Sequence, residues 1–498
     1  MTLISRVMGL IRDVLIAHML GAGSFADAFF VAFKVPNFLR RLFAEGAFSQ
    51  AFVPVLSEYK VKGQQQVKAL IGPVIGALGG VTFLVCLVAI FAAPVLTWLA
   101  APGFAADPEK MLLTTEMMRI TFPYLFFISL MAIASGVLNT YHIFGPSAFA
   151  PVILNASMIT ALLLQGLMPE QPVYLLAWAV LVAGFLQFLM HLPYLKAIGV
   201  LTWPQWNWQH PGVRKILRLM GPAVFGVSVS QINLLLDTIL ASFLVNGSVS
   251  WLYYSDRLIE LPLGVFGIAI ATVILPNLST SHANEGKEAF RHTIDWGLRC
   301  VLALGLPAAV AMFILAEPIL TTLFQYGLFN SEDVLKSAAS LRAYTFGLVP
   351  FMLIKVLATG YFSRQDTRTP VKIGIFAMIV NMVANLALVW HFDHVGLALA
   401  TSFSACVNAG LLYYGLVKQN VFHLSRLSIL VCIRLCAASL VMGIGVWYLN
   451  DTQSQWFVWS IWQRCWHLLL LVSGGIVIYL ASLFAFGARA SQFSHRHG

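Results

Sequence analysis

The chain has 498 residues, 59% hydrophobic and 10% charged, with a formal net charge of +10. A soluble domain carries about 25% charged residues, so this set cannot build a water-facing surface, and a soluble enzyme is excluded. At about 20 apolar residues per spanning helix, the apolar content suffices for roughly fourteen spans and little else. The expected fold class is therefore an all-α polytopic membrane protein. In such a protein basic residues crowd the cytoplasmic loops and meet anionic lipid, so the positive charge does not imply nucleic acid.

Hydropathy and breakers place the spans near 2–20, 25–57, 67–101, 111–141, 146–167, 172–194, 214–245, 249–281, 290–324, 332–362, 368–390, 394–418, 426–449 and 457–486. Several exceed the bilayer thickness and extend past it or tilt. The first carries Arg6, Arg12 and Asp13. That is unlike the apolar core of a signal peptide, so no cleavable signal is expected. Arg6 and Asp13 share a face and are spaced to pair. In the second, Asp27, Lys34 and Arg41 recur at seven-residue steps and Glu45 follows four later. This is one polar stripe about 27 Å long at 1.5 Å per residue, kinked at Pro36, with Arg41 and Glu45 spaced as an i,i+4 pair.

Further along, Asn155 lies near Pro146 and Pro151, lining a cavity or bonding between helices. Asp237 sits in QINLLLDTILASF of the seventh span, and the eighth holds YYSDRLIELP, where Asp256 and Glu260 share a face beside Arg257. Asn381 and Asn385 stand one turn apart on the eleventh span, with Thr401 on the twelfth. One carboxylate with amide and hydroxyl oxygens suits a hard monovalent cation such as sodium. The same groups also make an interhelical hydrogen-bond network, and both readings stay open. Trp447, Trp456, Trp459, Trp462 and Trp466 flank the last two spans and read as an interfacial belt. The six cysteines lie in apolar runs without metal spacing and read as small core hydrophobes. No Walker loop, HExxH motif or catalytic dyad is present, so no catalytic residue and no enzyme are expected.

The loop charges alternate in bias. Lys60, Lys62, Lys68, Arg214, Lys215, Arg218, Lys287, Arg291, Arg364, Arg368, Lys372, Lys418, Arg426, Arg489 and Arg496 mark one side; Asp107, Glu109 and Lys110, then Glu170, then Glu332, Asp333 and Lys336, then Asp393 and Asp451 mark the other. By the positive-inside rule the first set is cytoplasmic. Both termini are then cytoplasmic, which agrees with an even span count.

The chain also repeats itself at an offset of about 224. FAAPVLTWLAAPGF at 91–104 reads against ILAEPILTTLFQYGLF at 314–329, with Pro94 on Pro318, Gly103 on Gly327, Thr121-Phe122 on Thr345-Phe346 and Gly136 on Gly360. A repeat of six helices enters the membrane twice from the same side. It predicts two pseudo-symmetric six-helix lobes, 1–195 and 212–420, with 425–487 as two additional helices. Transporters so built hold substrate between lobes and alternate access by rocking them. Ionisable groups at helix centres cost several kcal/mol and face a cavity or a partner. Here they cluster in matched helices of both lobes, which favours a cavity over purely structural salt bridges. Arginine dominates them, and its planar fork suits phosphate. The acidic residues nevertheless balance the basic ones, so an anion site needs local segregation.

SRVMGLIRD, GAGSFADAFFVAFKVPNFLRRLFAEGAFSQAFVPVLSEY, SVSWLYYSDRLIELPLGVFGIAIATVILPNLS and GYFSRQDTRTPVK closely resemble the MurJ (MviN) lipid II flippases. These belong to the multidrug/oligosaccharidyl-lipid/polysaccharide exporter superfamily, and the likeness runs over nearly the whole chain. The resemblance implies alternating-access transfer of the undecaprenyl-pyrophosphate-linked peptidoglycan precursor from the cytoplasmic to the periplasmic leaflet of the bacterial inner membrane, without covalent chemistry. By motif, Arg6, Arg12 and Arg257 match the family's arginines and are assigned to the pyrophosphate. Asp13, Asp27, Arg40, Arg41, Glu45, Asn155 and Asp256 complete the expected substrate-binding set. The last two helices are expected to carry a groove for the lipid tail. Asp237, Asn381, Asn385 and Thr401 sit where some members are thought to hold sodium, although Asn at 385 leaves a single carboxylate. No other cofactor is expected; sodium or the membrane potential would bias the cycle. Expected partners are lipid II, membrane lipids and other cell-wall synthesis proteins, with the chain acting as a monomer. Family members usually carry more residues ahead of the Ser-Arg motif. Here Ser5 stands almost at the start, which leaves the first span short and the native start open.

Overall fold

The computed structural model describes residues 2–42, 48–164, 172–264 and 286–493. All regular structure among them is helical, as the composition requires: without water in the bilayer, helices satisfy their own backbone groups. Nine helical stretches among the described residues are long and apolar enough to cross a membrane. The longest, Arg368–Lys418, folds two expected spans into one run that turns back at Asp393 (φ 48°, ψ −134°).

The chain divides into two compact units, Met1–Ser250 and Trp251–Gly498. The first contains α1 (Thr2–Leu20), α2 (Ser24–Leu39), α3 (Phe48–Val61), α4 (Gln64–Phe91), α5 (Ala93–Ala100), α6 (Pro108–Thr121), α7 (Tyr124–Thr140), α8 (Gly145–Leu163), α9 (Pro172–Ala197) and α10 (Pro211–Ser242). Helix α1 lies along α8, α2 along α6, and α7 between α4 and α9, while α3 packs on both α7 and α10. Buried aromatic rings fill these seams, including Phe29, Phe48, Phe52, Phe122 and Tyr124. Helix α11 (Ser248–Pro262) begins at the end of this unit and continues into the second.

The second unit contains α12 (Gly286–Ile314), α13 (Ala316–Phe324), α14 (Ser331–Phe362), α15 (Arg368–Lys418), α16 (Arg426–Leu449), α17 (Gln453–Val458) and α18 (Ile461–Ala485). Helix α14 packs on α12 and α15, and α16 lies between α12 and α18. Tyr254 meets Phe324 and Phe329 at ring separations of 5.1 and 5.3 Å. Only 17% of the apolar window of α18 is buried, so this helix presents its surface to lipid.

The repeat is written in the backbone of each unit. Helix α4 breaks at Ala92 (φ −84°, ψ 5°) before the short α5, and α12 breaks at Leu315 (φ −91°, ψ 16°) before the short α13. Pro94 and Pro318 follow these breaks. Each lacks the N–H that would continue the ladder to Ile90 or Ile314, so the helix stops and restarts.

Two expectations are corrected. The second span, expected to kink at Pro36, keeps Pro36 inside α2, which ends at Leu39; a wider turn covers 40–42, and α3 starts at Phe48. Glu45, and with it the Arg41–Glu45 pair, lies outside the described residues. The fourth span is one stretch, Pro108–Thr140, with a turn at Phe122-Pro123 between α6 and α7. Trp456 does not belong to the interfacial belt. It is fully buried, and its indole N–H donates to Asn450 Oδ1 at 3.0 Å, whereas Trp447, Trp462 and Trp466 are exposed.

Candidate functional site

Helix α1 presents Arg12 and Asp13 toward α8. The Arg12 guanidinium donates Nε and Nη2 to Asp13 Oδ1 at 2.9 and 2.6 Å, and Nη1 to Asn155 Oδ1 at 2.9 Å. Asn155 Nδ2 in turn donates to the Ser5 carbonyl at 3.0 Å. All three side chains are buried, with Asp13 at 0% exposure. The planar fork of arginine serves both acceptors at once, in two different directions. Arg6, next to Ser5, is half-buried.

Asp27 sits in the first turn of α2 and is 1% exposed. Lys110 Nζ donates to its Oδ2 at 2.9 Å, as does the Gly247 N–H at 2.8 Å. The Ser250 N–H and hydroxyl donate to Oδ1 at 2.9 and 2.6 Å. Two of these donors are backbone groups at the start of α11, which have no helical acceptor and a positive dipole end behind them. Lys110 also donates to Asn246 Oδ1 at 2.7 Å and lies 4.0 Å from the Phe104 ring centre. Asp27 thus carries a dense buried knot within the first unit. The repeat offset of 224 takes Asp27 to Trp251. There the indole N–H donates to Asp333 Oδ1 at 2.9 Å, and Asp333 closes the capping box of α14 with Asn330. In each unit a buried carboxylate thus holds the start of a helix, Asp27 that of α11 and Asp333 that of α14.

The remaining substrate-set residues are more open. Arg40 Nε donates to Asn37 Oδ1 at 2.9 Å, and Arg41 is half-buried. Arg257 pairs with Glu260 at 2.7 Å, both partly exposed, beside a half-buried Asp256. In the cation set, Asn385 Nδ2 donates to Asn381 Oδ1 at 2.9 Å and Asn381 Nδ2 to Thr401 Oγ1 at 3.3 Å. These contacts form a hydrogen-bond ladder between the two arms of α15. Asp237, the carboxylate of that set, is half-buried in the first unit. The Asn385–Asn381 and Asn381–Thr401 bonds are the contacts that the network reading describes. Among the described residues no cluster of three His, Cys, Asp or Glu side chains is placed to hold a metal.

Three buried charges escaped the sequence reading. Lys110 looks like an exposed first-turn residue after Pro108. Asp295, in α12, accepts the hydroxyls of Ser425 and Ser428 at 3.1 and 2.5 Å and so fixes the start of α16. Arg464 is 6% exposed, and its guanidinium donates to the carbonyls of Trp456, Phe457, Thr321 and Gln325 at 3.0 to 3.3 Å. Its acceptors are all backbone groups, so no spacing of opposite charges announces it. Outside the spans, Asp366 of the GYFSRQDTRTPVK motif accepts the Thr369 hydroxyl at 2.7 Å and its N–H at 3.0 Å. These bonds, the hydroxyl first, hold its carboxyl below the usual carboxylate range.

An apolar cleft of about 440 Å³ runs between α12, α14 and α16, lined by residues such as Val310, Phe313, Phe346, Leu440, Ile444 and Trp447. It uses α16 but not α18, so it draws on one of the two helices expected to hold a lipid tail.

The model of the family described as lipid II flippase MurJ matches residues 16–466. A probable lipid II flippase MurJ of Haemophilus influenzae is 49% identical, covering 98% of both chains. One of Vibrio cholerae is 50% identical over 98% of this chain and 95% of that protein. A solved structure of lipid II flippase MurJ in an inward closed conformation superposes with a TM-score of 0.83 at 27% identity, covering 97% of each chain. An inward-facing MATE family multidrug transporter reaches 0.69 at 15% identity over 84% of this chain and 94% of its own; that likeness concerns the fold. With the motif set, the repeated kinks and these matches together, the chain belongs to the lipid II flippase MurJ family.

Proposed function

We propose that this chain carries lipid II across the bacterial inner membrane, from the cytoplasmic to the periplasmic leaflet, by alternating access and without covalent chemistry. The observation that carries the reading is the family match along residues 16–466, joined to near 50% identity with lipid II flippases over almost the whole chain. The buried arginine supports it in chemical terms. An isolated guanidinium in the membrane costs several kcal/mol. Arg12 and Arg257 each already hold a carboxylate, Asp13 and Glu260. A diphosphate arriving at either arginine therefore exchanges one anion for another, and neither arginine is left as a bare buried charge between cycles. The polyprenyl tail stays in lipid or in an apolar cleft while the headgroup passes.

With both termini in the cytoplasm, as the loop charges indicate, the headgroup carries negative charge outward. An inside-negative potential favours that movement by about 2.3 kcal/mol per charge per 100 mV. A lipid-oligosaccharide or drug exporter of the same fold is the competing reading, and the arginines speak for an anionic cargo.

The test is genetic replacement with leaflet assignment. A bacterium is depleted of its own flippase, this chain is expressed, and outward-facing lipid II is labelled with a membrane-impermeant probe. Restored labelling is expected. A well-expressed chain that restores none overturns the proposal in favour of another exported lipid.

A further inference from the structure

The connection between α9 and α10, residues 198–210, reads VLTWPQWNWQH after its first two residues, and nothing in the transport reading uses it. It is an extended strap laid on α4. Gln64 Nε2 holds its start at the Ile198 carbonyl (2.5 Å), and the Gln205 N–H donates to the Gly72 carbonyl at 2.9 Å. The strap fits because α4 is bare beneath it: a methyl group at Gly76 would run into the Gln205 carbonyl, and one at Gly80 into the Trp206 ring. Seated this way, the strap turns Trp203 and Trp206 outward, at 87% and 73% exposure, while Trp208 turns in.

The level of the strap along the helices is set by its surroundings. Trp208 closes a small apolar cavity of about 170 Å³ between Val74–Val85 of α4 and Val213–Met220 of α10. Arg214 and Arg218, both exposed, therefore stand at the height of the strap. Below it are the exposed Lys68 and Lys196. Beyond this level α4 carries no charge after Lys68, and α10 none before Asp237. The strap lies where the charged collar ends and the apolar surface begins. Tryptophan concentrates at that boundary because its ring is amphipathic, and clustered basic residues beside it attract anionic headgroups. The nearby Glu58 is already paired with Lys215 at 2.6 Å, so it leaves the collar positive.

We propose that the 198–210 strap is a membrane-interface anchor that docks on anionic phospholipid, with Trp203 and Trp206 inserted at the headgroup boundary and Lys68, Lys196, Arg214 and Arg218 facing the lipid charge. The anchor fixes the depth of α4 and α10 in the bilayer.

The test uses the full chain in vesicles of phosphatidylcholine with phosphatidylglycerol, with bromine on the acyl chains of one lipid or the other. Emission of the two tryptophans, among thirteen in the chain, is taken as the difference between wild type and Trp203→Phe/Trp206→Phe. Trp203→Phe alone serves as a milder control, since that ring touches little. Brominated lipid is expected to quench the pair, with brominated phosphatidylglycerol favoured roughly fivefold over its phosphatidylcholine counterpart, the enrichment expected of one basic contact. Lys68→Gln/Lys196→Gln/Arg214→Gln/Arg218→Gln is expected to erase the preference and keep the quenching. Equal quenching by both lipids in the wild type overturns the anionic assignment. Water-like emission untouched by bromine overturns the anchor itself.

Discussion

The guanidinium of Arg12 and the side-chain oxygen of Asn155 meet at 2.9 Å from positions 143 residues apart, so a residue assigned to substrate also fastens α1 to α8. Arg12→Ala removes the guanidinium that donates to the buried Asp13, which costs about 3–5 kcal/mol. The double variant Arg12→Ala/Asp13→Ala removes both charges and is expected to recover most of that loss in a thermal unfolding assay. It is expected to stay inactive in the leaflet-labelling assay. Recovery of transport along with stability would show that Arg12 serves packing alone.

Asp27 and Lys110 make a second separable pair. Asp27→Ala strands a buried ammonium and frees the Gly247 and Ser250 amides, so it is expected to lower stability by about 3–5 kcal/mol. Lys110→Met in the same chain restores part of it, and a double-mutant cycle on unfolding midpoints measures the coupling.

Arg464→Leu removes the donors to four backbone carbonyls. A hydrogen bond to a charged group is worth about 1.5–3 kcal/mol, so a loss of at least about 3 kcal/mol is expected. The signature is new proteolytic cleavage at 450–460, where α17 loses its hold. Arg464→Lys is expected to fall between wild type and Leu.

Asp366 gives a pH dependence. Its folded carboxyl is held low by Thr369, so its stabilisation is fully present above the unfolded value of about 3.9 and is lost as pH falls through the lower folded value. Asp366→Ala is expected to cost about 1 kcal/mol near neutral pH, as loss of a helix cap does. Thermal midpoints followed from neutral to acid pH are expected to converge for the two proteins only at the acid end.

Coupling can be tested without mutation. If the potential drives the headgroup outward, collapsing it with valinomycin in potassium buffer slows labelling of outward lipid II. Replacing sodium by potassium at constant potential is expected to change little, because the Asn381, Asn385 and Thr401 side chains already bond to one another.

The sequence made the class, the spans and the repeat legible because the bilayer imposes one rule on every segment: apolar for about 20 residues, charge at the ends. Pro94, Pro318 and the glycines at constant offset carried the duplication through unrelated apolar residues. Pairing was less legible. The bond from Arg12 to its own neighbour Asp13 carries no spacing signal, because adjacent residues on a helix do not share a face. Arg464 and Lys110 stayed hidden because their partners are carbonyls or carboxylates far along the chain, which no local periodicity encodes. The Trp456 ring was misplaced because composition at a span end does not distinguish a ring turned to lipid from one turned inward.

The breaks at Ala92 and Leu315 recur at nearly the same place in each half. Each is followed by a proline that cannot rejoin the ladder. Where a ladder bond is missing a helix kinks rather than curves, so α4 with α5, and α12 with α13, take up bending load at a fixed joint instead of along their length.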